Sequence, residues 1–341
     1  MTGSTSLERT DRSGTTRTAL RALLLGAAMA GAAFAGGIAR AADAPLDIAF
    51  VVADSADPFY LTMQCGAEKA AKDNNVNLTW QGSPSVDYGP EIAILHAVQL
   101  KKPNGIVLAP FSPTAFIAPV KDLMDGGTPV VTVDGSLDQK VELQNIHTDN
   151  AGAGAVAADM LGEALHGQGT VAVISFQPGI PVQAARVDGF VAEAKKKYPN
   201  IKVLPGEYGG ADAGKSATIT SGLLARNPDL AGIYATDTND AEGAASAVRA
   251  GGVATKVKVV AYDAAPDEVK ALRSGVFDGL VAQMPYQEGY RAVALLAKYL
   301  RHQISKDQVP YFDQTGAVVV TKANVDTPEI AHTVLYTDSC S

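Results

Sequence analysis

The chain has 341 residues, is 47% hydrophobic and carries a formal charge of −8 at pH 7. That length exceeds what a single hydrophobic core usually supports, so two domains are expected. An acidic balance lacks the basic surface that phosphate backbones require, so nucleic acid is a poor candidate partner.

The N-terminal segment reads as an export signal. Arg9, Arg12, Arg17 and Arg21 make a basic head, an apolar run follows from Ala22 to about Phe34, and Ala39-Arg40-Ala41 has the small-residue pattern of a cleavage site. This is the order of a secretory signal peptide, expected over residues 1–41. The run falls short of the ~20 apolar residues that span a bilayer. No Cys stands near the cleavage point, so a lipid anchor is not expected. Removing residues 1–41 takes away five Arg against one Glu and one Asp, leaving a mature charge of about −11. A periplasmic, monomeric product is expected.

From Leu46 onward two kinds of segment alternate. Short runs rich in Val, Ile and Leu predict buried parallel strands at Ile48–Ala53, Gly105–Ala109, Pro129–Asp134, Thr170–Ser175, Ala231–Thr236, Val257–Asp263 and Gly279–Met284. Helical spacing marks Phe59–Asp73, Glu91–Lys101, Ala151–Leu165, Gln183–Lys197, Ala241–Ala250 and Gln287–Arg301. Strand-helix alternation on this scale predicts an α/β fold, with parallel sheets covered by helices on both faces. Cys65 falls on the first of these helices and Cys340 near the C-terminus. Two cysteines allow one pairing, and in an oxidising compartment a Cys65–Cys340 bridge is expected to pin the tail.

In open α/β sheets ligands bind beyond the carboxyl ends of strands. Here those ends run into polar residues: Asp54 and Asp57, then Asp134, Asp237, Asp263 and Gln283. One such Asp means little, because Asp is common in turns and helix caps. A series of them, with an amide, can accept and donate hydrogen bonds to many hydroxyls at once.

These strings, taken in order, resemble the type I periplasmic sugar-binding proteins of ABC importers, the ribose- and galactose-binding family. The resemblance rests on Ala49-Phe50-Val51-Val52 followed by Asp57-Pro58-Phe59-Tyr60; on Pro129-Val130-Val131-Thr132-Val133-Asp134; on Ala184-Ala185-Arg186-Val187-Asp188-Gly189-Phe190; and on Val259-Val260-Ala261-Tyr262-Asp263 with Val281-Ala282-Gln283-Met284-Pro285. It implies two doubly wound, Rossmann-like domains joined by three crossovers, near Thr148–Ala151, Gln283–Tyr286 and Val309–Phe312. The expected lobes are 45–149 with 285–310, and 150–284 with 311–330, followed by a tail over 331–341.

The resemblance further implies a ligand set. Phe59 and Tyr60 would stack on a sugar ring, Asp57, Asp134, Asp237 and Asp263 would accept hydroxyl hydrogens, and Arg186 and Gln283 would donate. Two departures stand out: Gly135 where ribose binders place an Arg, and Asp212-Ala213 where they carry an aromatic. A smaller or open-chain ligand, such as a pentose variant or an alditol, would suit such a cleft. Trp80, the only tryptophan, is a candidate replacement stacking face and equally a core residue. Four carboxylates against one Arg also admit a cationic amine.

An enzyme is the contrasting class. No Gly-x-Ser-x-Gly elbow, phosphate-cradling loop, Rossmann glycine fingerprint or metal-spaced His pair is expected, and His96 and His147 stand alone. Paired Asp could serve a glycosidase, but no carboxylate lies in an apolar stretch that would raise its pKa. A repressor of the same core fold would begin with a basic DNA-binding segment, which this chain lacks. The sequence therefore calls for no catalytic residue, cofactor or metal. The resemblance implies a small polyhydroxylated ligand and a membrane permease as partners.

Overall fold

A computed structural model describes residues 1–3, 44–84, 86–210 and 212–340. The expected signal peptide, apart from its first three residues, lies outside the described residues. Among the described residues no helix is long and apolar enough to cross a membrane.

The first part of the chain lays down β1 (Leu46–Val52), β2 (Val76–Gly82), β3 (Gly105–Leu108), β4 (Val130–Val133) and β5 (Gln144–Thr148), interleaved with α1 (Pro58–Asp73), α2 (Tyr88–Leu100) and α3 (Ile117–Asp125). The second builds β6 (Gln168–Ser175), β7 (Asn200–Val203), β8 (Glu207–Tyr208), β9 (Leu230–Ala235), β10 (Lys258–Tyr262) and β11 (Gly279–Ala282). Its helices are α4 (Asn150–Ala164), α5 (Pro181–Lys197), α6 (Ala213–Arg226), α7 (Thr238–Ala250) and α8 (Pro266–Ser274). After α9 (Pro285–Leu300) come β12 (Phe312–Thr315), β13 (Val318–Val320) and α10 (Pro328–Thr333).

One sheet has the order β12-β5-β4-β3-β1-β2 and is parallel throughout; the other runs β13-β11-β10-β9-β6-β7, with only β13 antiparallel. Central strands such as β3 (GIVL) and β4 (VVTV) are buried at every position. Helices cover both of their faces, so their sequences read as continuous apolar runs rather than alternation. At the edge, β2 (VNLTWQG) alternates at its start instead.

The chain passes between sheets at Asp149, between β5 and α4, and again at Gln283–Met284, between β11 and α9. The third crossing departs from the expected one near Val309–Phe312. Phe312–Thr315 pairs in parallel with Asn145–Thr148 of the first sheet, and the chain crosses only at Gly316–Ala317. Residues 311–315, expected in the second lobe, thus belong with the first sheet. The strand FDQT is too polar to announce itself in the sequence.

The tail is not a loose end. Tyr336 is buried and its N–H donates to the Ala264 carbonyl, while the Thr337 N–H donates to Thr62 Oγ1 at 2.8 Å. The Cys65–Cys340 disulfide then ties the tail to α1.

Two helix pairs cross where glycines let backbones touch. A Cβ on Gly66 of α1 would lie 1.9 Å from the Tyr286 carbonyl of α9, and one on Gly289 would lie 2.1 Å from that of Met63. In the second lobe Gly154 and Gly189 do the same for α4 and α5, against Arg186 and Ala151. Gly66→Ala should therefore force the helices apart and cost about 1–3 kcal/mol, the usual penalty of overpacking. Urea denaturation measures it; a variant as stable as the parent would mean that the α1–α9 contact yields without strain.

Candidate functional site

Strands of both sheets end at one cavity of about 150 Å³. From the first sheet, β1 leads into Asp54, Asp57, Phe59 and Tyr60, β3 into Pro110 and Phe111, and β4 into Asp134 and Gly135. From the second, β6 leads into Phe176 and the α5 residues Gln183 and Arg186, β9 into Asp237, β10 into Asp263 and β11 into Gln283. Eight of the nine expected site residues thus line one space. Trp80 does not: its ring packs on Phe50 at 4.5 Å in the first core, which corrects the stacking role considered for it.

Each carboxylate is held by the local fold. Asp57 is the N-cap of α1, its Oδ1 accepting from the Phe59 N–H at 2.8 Å, with Pro58 in the first turn. Asp237 caps α7 in the same way, Oδ1 accepting from the Asp240 N–H at 3.0 Å. In each case one oxygen secures the helix, and the second oxygen of Asp237 accepts from Gln183 Nε2 at 3.4 Å.

Asp134 and Asp263 use a different device. They follow β4 and β10 with φ of 58° and 85°, in the left-handed region that Asp tolerates better than most residues. Their N–H groups donate to Ile146 and Val281, both at 2.9 Å, and this continues the sheet for one more bond before the side chain turns into the cavity. Asp134 Oδ2 accepts from Tyr60 Oη at 2.8 Å; Asp263 Oδ1 accepts from Gln283 Nε2 at 2.7 Å and Tyr336 Oη at 3.0 Å.

Arg186 is no surface residue. It is 3% exposed, its Nε donates to Asn150 Oδ1 and its Nη1 to the Thr236 carbonyl, both at 2.8 Å, and its guanidinium lies 3.8 Å from the Tyr262 ring centroid. Burial alone would lower its pKa, yet the surrounding Tyr262, Asp263 and Asp134 raise it, so the cation is permanent.

The carboxylates feel the opposite pull. Burial pushes Asp57 up to about 7, with Asp263, Asp54 and Asp134 adding to the rise against the Phe59 N–H. Burial also raises Asp134, offset by Arg186 and Tyr60, and raises Asp237 well above the usual range with help from Asp240. The sequence expectation that no carboxylate would be shifted is thereby overturned. These groups stand at the ends of apolar runs rather than within them, and folding is what buries them. Glu91 shows this best: fully buried on α2, its Oε2 accepts from the Phe111 N–H at 3.1 Å and burial pushes it up to about 8.

Other lining residues carried no sequence signal. Phe111 and Phe176 meet edge to face across the cavity, 5.8 Å between centroids. Phe176 supplies a second-lobe ring despite Asp212-Ala213. Gly135 has a steric reason, because a Cβ there would meet the Pro110 carbonyl at 2.3 Å, which leaves no room for an Arg.

Against the expectation of no phosphate-cradling loop, one string fits the pattern. Gly209-Gly210-Ala211-Asp212-Ala213-Gly214-Lys215-Ser216 has the spacing of a phosphate-cradling loop before a helix. Asp212 answers it. Its Oδ1 accepts from the Lys215 N–H at 3.0 Å and caps α6, so a carboxylate already occupies the helix N-terminus that a phosphate would need.

Comparison with known proteins agrees with this geometry. The structure of an ABC transporter solute-binding protein from Agrobacterium vitis, bound with alpha-D-tagatopyranose, superposes with a TM-score of 0.81 at 34% identity, covering 86% of this chain and 99% of that one. A carbohydrate transporter solute-binding protein from Agrobacterium radiobacter, in complex with D-arabinose, gives 0.79 at 30% identity, covering 85% and 99%. The D-allose-binding periplasmic protein of Escherichia coli is 29% identical over 300 residues, 84% of this chain and 95% of its own length. The model of the periplasmic binding protein domain matches residues 48–304, and with both sheets, the crossovers and the cavity inside or beside that span, the chain belongs to this family of binding proteins.

Proposed function

We propose that this chain is the solute-binding component of an ABC importer, capturing a sugar or sugar alcohol between its two lobes and presenting it to a membrane permease. The observation that carries the reading is the cavity lining. Carboxylates from four strand ends, one amide and one guanidinium surround a space bordered by Phe59, Tyr60, Phe111 and Phe176. Polar groups of both kinds suit hydroxyls, and aromatic faces suit the C–H faces of a sugar ring. Relatives of known ligand bind tagatose, arabinose and allose, which supports the class.

The ligand would bridge the lobes and hold them closed, and it shifts that equilibrium by its differential affinity for the closed form. Domain limits follow the crossings at Asp149, Gln283–Met284 and Gly316–Ala317. The basic-apolar-small order of residues 1–41 supports export to the periplasm, where the protein acts as a monomer.

The experiment is a thermal-shift screen of residues 42–341 against pentoses, hexoses, ketoses, alditols, amino acids and polyamines. A ligand at a hundredfold excess over its dissociation constant adds about 2.7 kcal/mol, a shift of degrees. Hits within one stereochemical family of sugars or alditols are expected. Hits confined to amines would discard the polyol reading and recast the four Asp as a cation site.

A further inference from the structure

All three crossings meet at one buried carboxyl. Glu288, in the first turn of α9, is fully buried just past the second crossing. Its Oε1 lies 3.1 Å from Thr148 Oγ1, at the end of β5 before the first crossing, and 3.1 Å from Thr315 Oγ1, at the end of β12 before the third. The two threonine oxygens are 3.4 Å apart. Thr148 Oγ1 also reaches Gln283 Oε1 at 2.8 Å, and Gln283 Nε2 donates to Asp263 Oδ1 at 2.7 Å. A continuous hydrogen-bonded chain therefore runs from the hinge into the ligand cavity.

Counting protons decides how the chain works. Thr148 has one hydroxyl hydrogen and two acceptors in reach, Gln283 Oε1 and Glu288 Oε1. With Glu288 ionised, its Oε1 draws the Thr315 and Thr148 hydrogens alike as charge-assisted bonds, and Gln283 Oε1 must compete for the second of them. With Glu288 carrying a proton on Oε1, the acid donates to the Thr148 oxygen, and the Thr148 hydrogen is free for Gln283. The amide is then locked with Oε1 toward the hinge and Nε2 toward Asp263. Among the described residues Glu288 Oε2 has no hydrogen-bond partner, which a neutral acid tolerates far better than a carboxylate does.

We propose that Glu288 is a positioning residue that acts as a neutral acid, fixing the Gln283 amide through Thr148 so that ligand grip depends on the proton it holds. The inference rests on the reading of Gln283 as a ligand contact.

The surroundings agree. Burial pushes the Glu288 carboxyl up to about 8; the Asp134 charge adds to the rise, and the Thr148 and Thr315 hydroxyls and the Arg186 charge oppose it. Those are the charged groups that face it, from the end of β4 and from α5. Tyr262, at the end of β10, is raised by burial first, with Asp263 and then Glu288 adding to it against Arg186, and Asp263 stands at the cavity end of the chain. The raised pKa sets the sign: the proton is held below about 8 and lost as pH rises through that value, so grip weakens on the alkaline side.

The test has one arm without ligand and one with it. In the first, the Gln283 side-chain amide resonances, assigned with Gln283→Asn, are followed by NMR from pH 6 to about 9.5. They should titrate in the parent protein and stay flat in Glu288→Gln, whose amide can donate as the acid does. Resonances that do not move in the parent, or that move equally in the variant, overturn the proposal. In the second arm D-allose, D-tagatose and D-arabinose are titrated calorimetrically at the same pH values. The dissociation constant should rise up to tenfold per pH unit above about 8, remain level with pH in Glu288→Gln, and be at least tenfold weaker at all pH values in Glu288→Ala. A pH-independent parent also overturns it. If none of the sugars binds, the sugar reading fails while the NMR arm still decides the role of Glu288.

Discussion

Arg186→Ala is expected to raise the dissociation constant for the sugar about 30- to 150-fold, the equivalent of about 2–3 kcal/mol for a hydrogen bond to a charged group left unmade. The guanidinium is pre-organised on three sides: by Asn150, by the Thr236 carbonyl and by the Tyr262 ring. Little rotamer freedom remains to be lost when a ligand arrives, so most of its interaction appears as affinity. Because it also steadies the second lobe, Arg186→Lys serves as a companion variant, keeping the charge while losing the planar fork. Asp263→Asn tests the other sign. Asn tolerates the left-handed backbone at φ 85° as Asp does, so the change removes charge without adding strain. A loss of about 5- to 30-fold is expected for exchanging a charge-assisted bond for a neutral one. Isothermal titration reads all three variants. Near-parental affinity in both Arg186→Ala and Asp263→Asn would remove these residues from the site.

Removing the disulfide should have the largest effect on stability. Cys65 and Cys340 are 275 positions apart, and closing so long a loop is worth up to about 5 kcal/mol in the chain-entropy view. Cys65→Ser with Cys340→Ser, or reduction of the parent, should lower the melting temperature by roughly ten degrees. Calorimetry with and without reductant measures it. Unchanged melting would mean that packing of Tyr336 against Phe59, 5.7 Å between ring centroids, already holds the tail.

What the sequence declared and what it concealed divide along physical lines. Strands buried on both faces, such as Phe50–Val52 or Val259–Tyr262, must be continuously apolar, so they were legible. β5 was not. Its QNIHT sequence buries Gln144 and Asn145 by giving them partners, the Pro310 carbonyl for one and Thr132 with the Gly135 carbonyl for the other, and this cannot be read one segment at a time. α6 was hidden for a related reason, because its Ser216, Thr220 and Ser221 hydroxyls bond the backbone of their own helix or Asp240 rather than signalling an apolar face.

The site divides likewise. Asp57, Asp134, Asp237 and Asp263 sit where strands end, a position that sequence order reveals. Glu288, Glu91, Phe176 and Tyr336 matter through neighbours 20 to 140 residues away: Thr148 and Thr315 for the first, Phe111 for the next two, and Asp263 for the last. Those meetings exist only after folding. The third crossing was misplaced because the turn signals around Pro310 mark the start of β12 and not a change of sheet.

The covalent tie between α1 and the tail also orders events in time. Every cavity residue from Asp134 to Gln283 lies between the two cysteines in the chain. The ribosome must therefore have made all of them before the thiols can join. Oxidation can therefore neither trap a half-made second lobe nor precede it: a bridged chain is one in which every one of those cavity residues has already been synthesised.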